Sequence, residues 1–243
     1  MSRGGDVADL ARWNELQQVT WPEGPFWLAP SDLDQLGADE FGATYRSTWD
    51  TALFGNALIG KRLAVMVGTN DDRFPLGALD LYANSIPAEV IPLYVANHDG
   101  TSVQTIGISH FRTLLSRIAL GMEPPKVLIS VDTSGPVPLL QATITGCQSI
   151  EGNCLSAQGW ITKYHADLDD FDYRDVIWEP IYLNPTGVTG AFSGPMDMSQ
   201  RPDNTAVFVQ AIDQVVIDGN PGPWTHTATS RVLFVGTPYP SIP

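Results

Sequence analysis

Residues 61–87 run a dense apolar stretch, an aspartate-rich turn and a second apolar stretch, and stop at Pro87. No other part of the chain constrains its fold as tightly. Leu63, Val65 and Val67 share one face of an extended segment while Ala64 and Met66 occupy the other, the all-apolar pattern of a strand covered on both sides. Beyond the turn at 69–74, Gly77 opens a segment in which Leu79, Leu81 and Ala83 alternate with Asp80 and Tyr82. A period of two predicts a second strand with one wet face.

The same period recurs downstream. Val127, Ile129 and Val131 repeat it, and Leu140, Ala142 and Ile144 stand opposite Gln141, Thr143 and Thr145. Residues 176–183 carry Trp178 and Tyr182 but are interrupted by Pro180, which predicts an edge strand or a bulge because proline has no N–H for a ladder. Residues 205–217 form the longest alternating stretch, with Val207, Val209, Ala211, Val215 and Ile217 on one face and Asp213 intruding among them. A last strand is expected at 231–235. One segment breaks the rhythm: Phe111, Leu114, Leu115, Ile118 and Ala119 lie at helical spacing between Ser109, a candidate N-cap, and Gly121, a candidate C′ residue. This predicts a helix over 110–120, with long loops left at 147–173 and 192–204.

Composition agrees with many strands joined by tight turns: of 243 residues, 43% are hydrophobic and 16% charged, with 22 Gly and 19 Pro. So low a charge is expected where neighbouring subunits cover broad surfaces, and equally of a Ser/Thr/Asn-coated β protein. The 13 basic residues are scattered against 27 acidic ones, a net charge of −14, which argues against tight direct nucleic-acid binding because phosphate neutralisation needs clustered cations. Nothing reaches the length of a membrane span and the first residues lack a secretory apolar run, so a soluble protein of intracellular origin is expected. Cys147 and Cys154, flanked by Gly146 and Gly152, could bridge; two free thiols are the expectation, since disulfide scaffolds carry more cysteines in shorter chains. Residues 1–50 interleave Trp13, Trp21, Trp27 and Trp49 with Pro22, Pro25 and Pro30, which predicts an extended N-terminal arm on a single domain over 51–243.

Asn70, Phe74, Gly77 and Pro87 resemble the Asn-x-Phe-x-x-Gly turn and proline-ended strand near the start of the jelly roll in picorna-like virus capsid proteins. The helix at 110–120, the segment KVLISVDTSGPVPLLQATITG and the segment WEPIYLNPTG resemble later parts of that fold, so the likeness spans about 61–235; residues 1–50 do not share it. The resemblance implies an all-β, eight-stranded jelly-roll sandwich with one or two short helices in loops. It also implies a structural subunit of an icosahedral capsid that assembles with other capsid protein subunits and exposes loops to a host receptor. Such a protein belongs to the virion, and to the host cell cytoplasm during assembly.

The acidic segment HADLDDFDYRD is the strongest chemical candidate. Asp169, Asp170 and Phe171 match an Asp-Asp-Phe motif that some insect picorna-like capsids carry, proposed there to assist maturation cleavage. One carboxylate, its pKa raised by its neighbour, would accept a proton. A solvated acidic turn is the plainer reading. Asp167, Asp169 and Asp170 offer hard oxygen ligands for calcium, but the glycine and distal glutamate of an EF-hand are missing. His98, His110, His165 and His226 are dispersed, with no His-x-x-x-His or Cys-x-x-Cys spacing for zinc. No nucleophile elbow, Walker loop or dinucleotide fingerprint is present, so a non-enzymatic chain without cofactors is expected. The rival from another class is a lectin-like jelly roll in which Trp178, Trp224 or Tyr239 stacks on sugar.

Overall fold

The computed structural model describes residues 55–71, 75–100, 102–147, 154–163, 171–199, 204–217 and 220–236. Its centre is a long strand, β9 (Asn204–Ile217), on which the remaining layers are built. Val207, Val209 and Ala211 point to one side and Ala206 and Phe208 to the other, and all are buried. Both faces of β9 are therefore covered, as a continuous apolar run requires.

Around β9 forms sheet II, in the order β10 (Asn220–Thr229), β9, β5 (Ser156–Thr162), β6 (Trp178–Tyr182). β11 (Leu233–Gly236) follows β10 antiparallel along the same edge of β9, pairing Leu233 with Val207. Sheet I has the order β3 (Lys126–Asp132), β4 (Leu139–Thr145), β8 (Ala191–Pro195), β7 (Asn184–Pro185), also antiparallel. Leu140, Ala142, Ile144 and Phe192 of sheet I meet Ala157, Ile161, Ile181, Val207 and Val209 of sheet II in one core. The close approach is set at Gly159, where a Cβ would lie 2.8 Å from Leu140 Cδ2 and 3.1 Å from Ile181 Cβ. The chain is thus mostly β, an antiparallel two-sheet sandwich.

A third layer covers the outer face of sheet II. After the short α1 (Gly55–Leu58), β1 (Arg62–Gly68) pairs in parallel with β2 (Glu89–Val95), the two joined across α2 (Ala78–Ser85). Leu76, Leu79 and Tyr94, with Val65, Val67 and Val90 beside them, pack on Ala206, Phe208 and Trp178. Phe208 is the hub: its ring lies 5.7 Å from Tyr94, 6.4 Å from Trp160 and 5.3 Å from Trp178. Thr229 ties β2 to β10, its hydroxyl donating to Pro92 O at 3.0 Å and accepting from Tyr94 N at 3.1 Å.

Several expectations are corrected here. The segment expected as a strand from Gly77 is the helix α2: Leu79 and Ala83, four apart, share a face in either period, and the adjacent Ala78 and Leu79 are both buried instead of alternating. Residues 61–87 therefore make strand, turn and helix, and β1 pairs outside the sandwich. Eleven strands are present among the described residues instead of eight, since β5, β8 and β10 occupy stretches without a strong alternating apolar signal and β2 went unread. The expected helix is longer than 110–120: α3 (Val103–Ala119) starts at Ser102, puts Ser109 inside and ends at Gly121 with φ +70°. Pro180 does sit on an edge strand, opposite Trp160. No helix among the described residues is long and apolar enough to cross a membrane.

Candidate buried polar site

Where α3 meets β9 and β10, Asp213, Arg117, His226 and the pair Cys147 and Cys154 lie near one another. Asp213 shares the inward face of β9 with Val207, Val209 and Ala211, and is fully buried. A lone carboxylate there would be costly, and Arg117, also fully buried, answers it with Nη1 at 2.5 Å from Asp213 Oδ2. The other arm of the guanidinium donates to Glu123 O at 2.8 Å and Gly146 O at 2.9 Å. One side chain thereby fastens α3, the turn after it, the end of β4 and the central strand.

His226 stands directly opposite Asp213 in the antiparallel register, so both side chains leave sheet II on the same face. It is 2% exposed, and neither ring nitrogen has a hydrogen-bond partner among the described residues. Burial, then the charge of Arg117, pushes its pKa down to about 4 against the pull of Asp213. The imidazole is neutral at neutral pH. His110 on α3 is half-buried, and burial lowers its pKa too.

The fourth element is sulfur. Cys147 and Cys154 form a disulfide, with Cα atoms 5.1 Å apart, which corrects the expectation of two free thiols. The count of cysteines says nothing of proximity; the packing of Cys154 and Cys147 onto the inter-sheet core decides it. Their Sγ atoms and a carboxylate oxygen of Asp213 all lie within 4.8 Å of one another.

The other sequence candidates fall elsewhere. Asp167, Asp169, Asp170 and His165 lie outside the described residues, as do Phe74 and Tyr239. Phe171, the third member of that motif, is half-buried and packs against the outer core that holds Tyr173 and Trp178. Asp172 is engaged by Arg174 in an ion pair. Trp178 is 1% exposed, so it offers no face to a sugar; the side chain of Trp224 lies outside the described residues. Asn70 reaches a distant segment, its amide donating to Tyr173 O, Arg174 O and Val176 O at 3.2, 2.9 and 2.6 Å. Asn97, unmarked in the sequence, holds Trp178 by both backbone groups at 2.8 and 2.7 Å.

Sequence reading missed Arg117 and His226 as partners, although Asp213 stood out as a charge on an apolar face. That intrusion is the signal that a buried cation must lie opposite. A groove of ≈330 Å³ between β2, β3 and the end of β10 is lined mainly by apolar groups, including Val90, Ile91, Val127 and Ile129, and does not reach this cluster. Comparison with protein-family models and with curated proteins finds no match for this chain.

Proposed function

We propose that this chain is a non-enzymatic structural subunit of a protein shell, of the icosahedral kind that its resemblance to picorna-like virus capsids implies. The exposed apolar stripe of α3 carries the reading. Arg117 and Leu114 hold the inner face, while Leu115 is 63% and Ile118 41% exposed, and Leu120 follows at 48%. Residues three apart are neighbours on a helix, so this is a patch and not scattered single groups. Leu128 on β3 and Tyr182 on β6 add exposed apolar groups on edge strands, where unpaired backbone is a ready template for another chain. The scarcity of charge supports the same reading.

The jelly-roll form belongs to this proposal and rests on the resemblance. Antiparallel sandwich layering favours it; the parallel pairing of β1 with β2 counts against it and weakens the likeness drawn from residues 61–87. The capsid reading thus draws on surface character and the later segments. It includes assembly with related subunits and contact of exposed loops with a host receptor. The lectin-like alternative has lost Trp178 as a stacking group.

The test is assembly. Size-exclusion chromatography and electron microscopy of the purified chain should show oligomers or shells, and the pair Leu115→Asp with Ile118→Asp should leave a folded monomer with unchanged circular dichroism. A wild-type chain that stays monomeric when concentrated, or assembly indifferent to the pair, overturns the proposal.

A further inference from the structure

We infer that β3 is a self-complementary edge on which a second copy of this chain pairs antiparallel, about a two-fold axis through Ile129. The inference rests on the assembly reading above and names one of its contacts. β3 stands at the end of sheet I, with β4 on one side and no strand on the other among the described residues. Its backbone is aimed at that open side. Ile144 N donates to Gly190 O at 2.8 Å, toward β8, so the alternate residues Gln141 and Thr143 of β4 are the ones that face β3, opposite Ser130 and Leu128. Val127, Ile129 and Val131 therefore turn their N–H and C=O groups to the free edge. The other edges of the sandwich are guarded. Pro180 interrupts β6, Pro185 ends the short β7, Pro221 and Pro223 fall where the register of β10 shifts, and β11 is 4 residues long. β3 runs 7 residues with neither a proline nor a register shift.

Charge decides what occupies the edge. The strand KVLISVD carries its cation, Lys126, and its carboxylate, Asp132, at opposite ends. Turned over on itself about Ile129, it sets Lys126 against Asp132 of the second copy, Val127 against Val131 and Ile129 against Ile129, and every contact occurs again across the axis. Each edge-facing N–H and C=O then meets its complement. Lys126 bonds Glu89 at 2.7 Å and Asp132 accepts from Ser134 N at 2.9 Å, and both an ammonium and a carboxylate keep further hydrogen-bonding capacity for the facing charge. An axis through Leu128 or Ser130 loses both ion pairs, and a slip of one residue turns one copy's apolar face outward. The inward face fits as well. Val127 is buried while Ile129 and Val131 sit partly exposed at the rim of the inter-sheet core, and the groove of ≈330 Å³ beside them is completed by Val90, Ile91 and Leu233. The matching side chains of the second copy close that groove from its open side. A ladder of 7 residues is smaller than a lasting interface requires, so β3 pairs within the assembly, alongside the α3 stripe, and not as a free dimer.

The probe is a cysteine placed on the axis. Oxidised in the assembled full-length chain, Ile129→Cys should give disulfide-linked dimers on a non-reducing gel, because directly opposite residues of such a pair lie about 5.5 Å apart, within reach of a bridge. Leu128→Cys should not, since it meets its own copy only on the diagonal. Asp132→Lys should raise the concentration at which oligomers form about tenfold by setting like charges opposite each other, and adding Lys126→Glu should restore the original value. Oligomers that link through Leu128→Cys, that link through neither cysteine, or that ignore Asp132→Lys overturn the inference and leave the assembly reading standing, the edge then holding another register or a different chain. A chain that stays monomeric when concentrated overturns both. Links through Ile129→Cys that persist in the variant carrying Leu115→Asp and Ile118→Asp support the β3 contact and count against the α3 stripe alone. Should Ile129→Cys fail to fold, the charge exchange decides by itself.

Discussion

Arg117 makes contacts that no other described cation makes: one buried carboxylate and two backbone carbonyls from separate parts of the chain. Removing either partner of a buried pair strands the other without solvent, which costs far more than the pair itself contributes. Arg117→Met should therefore destabilise the fold by about 3–5 kcal/mol in urea unfolding, and Asp213→Asn should act in the same direction. Replacing both with apolar groups of similar volume should recover much of that loss. At Gly159 the constraint is space, since a Cβ would intrude on Leu140 across the sandwich and on Ile181 of the neighbouring strand β6. Gly159→Ala should cost about 1–3 kcal/mol, read as a lower denaturation midpoint.

Among the elements, β9 differs from its neighbours in having core on both faces. Phe208, fully buried among Tyr94, Trp160 and Trp178, joins the outer layer to sheet II, and Phe208→Ala should cost about 3–5 kcal/mol. The join between β2 and β3 is electrostatic and weaker. Lys126 bonds Glu89 at 2.7 Å and Arg62 bonds it at 3.0 Å, and these contacts, Lys126 first, hold the Glu89 pKa below its usual 4.5. A lowered carboxylate pKa means that the folded chain binds this proton less readily than the unfolded one. The contribution is complete above about pH 4.5 and is lost as the pH falls through the depressed value. With the side chain 37% exposed, Glu89→Gln should cost under about 1 kcal/mol at neutral pH and nothing at low pH, measured as paired melting curves.

Across the whole molecule, protection should follow the layering. Amide exchange should be slowest in the middle of β9, where Ala206, Val207, Phe208 and Val209 have no exposure, and fast at Asn184, which carries the single amide of the exposed strand β7. Uniform exchange through both would contradict the three-layer arrangement. Much of that layering was legible locally: the strands at β3, β4, β6, β9 and β11, the edge position of Pro180 and the stop at Gly121 follow from side-chain period, a missing N–H and a glycine's freedom at positive φ. α2 was not, because a four-residue spacing of apolar groups satisfies both periods and only burial against sheet II separates them. β5 was hidden by its small residues, chosen for closeness to Leu140 and not for hydrophobic contrast. By itself the sequence determined a β-rich, weakly charged chain with apolar segments of strand length and a carboxylate where none should be. Only the tertiary structure decided which strands pair, that β1 lies outside the sandwich, and that Arg117, Cys147 and Cys154 gather on Asp213 with His226 opposite it in the register. Pairing and convergence depend on contacts between residues distant in the chain, which local periodicity does not encode.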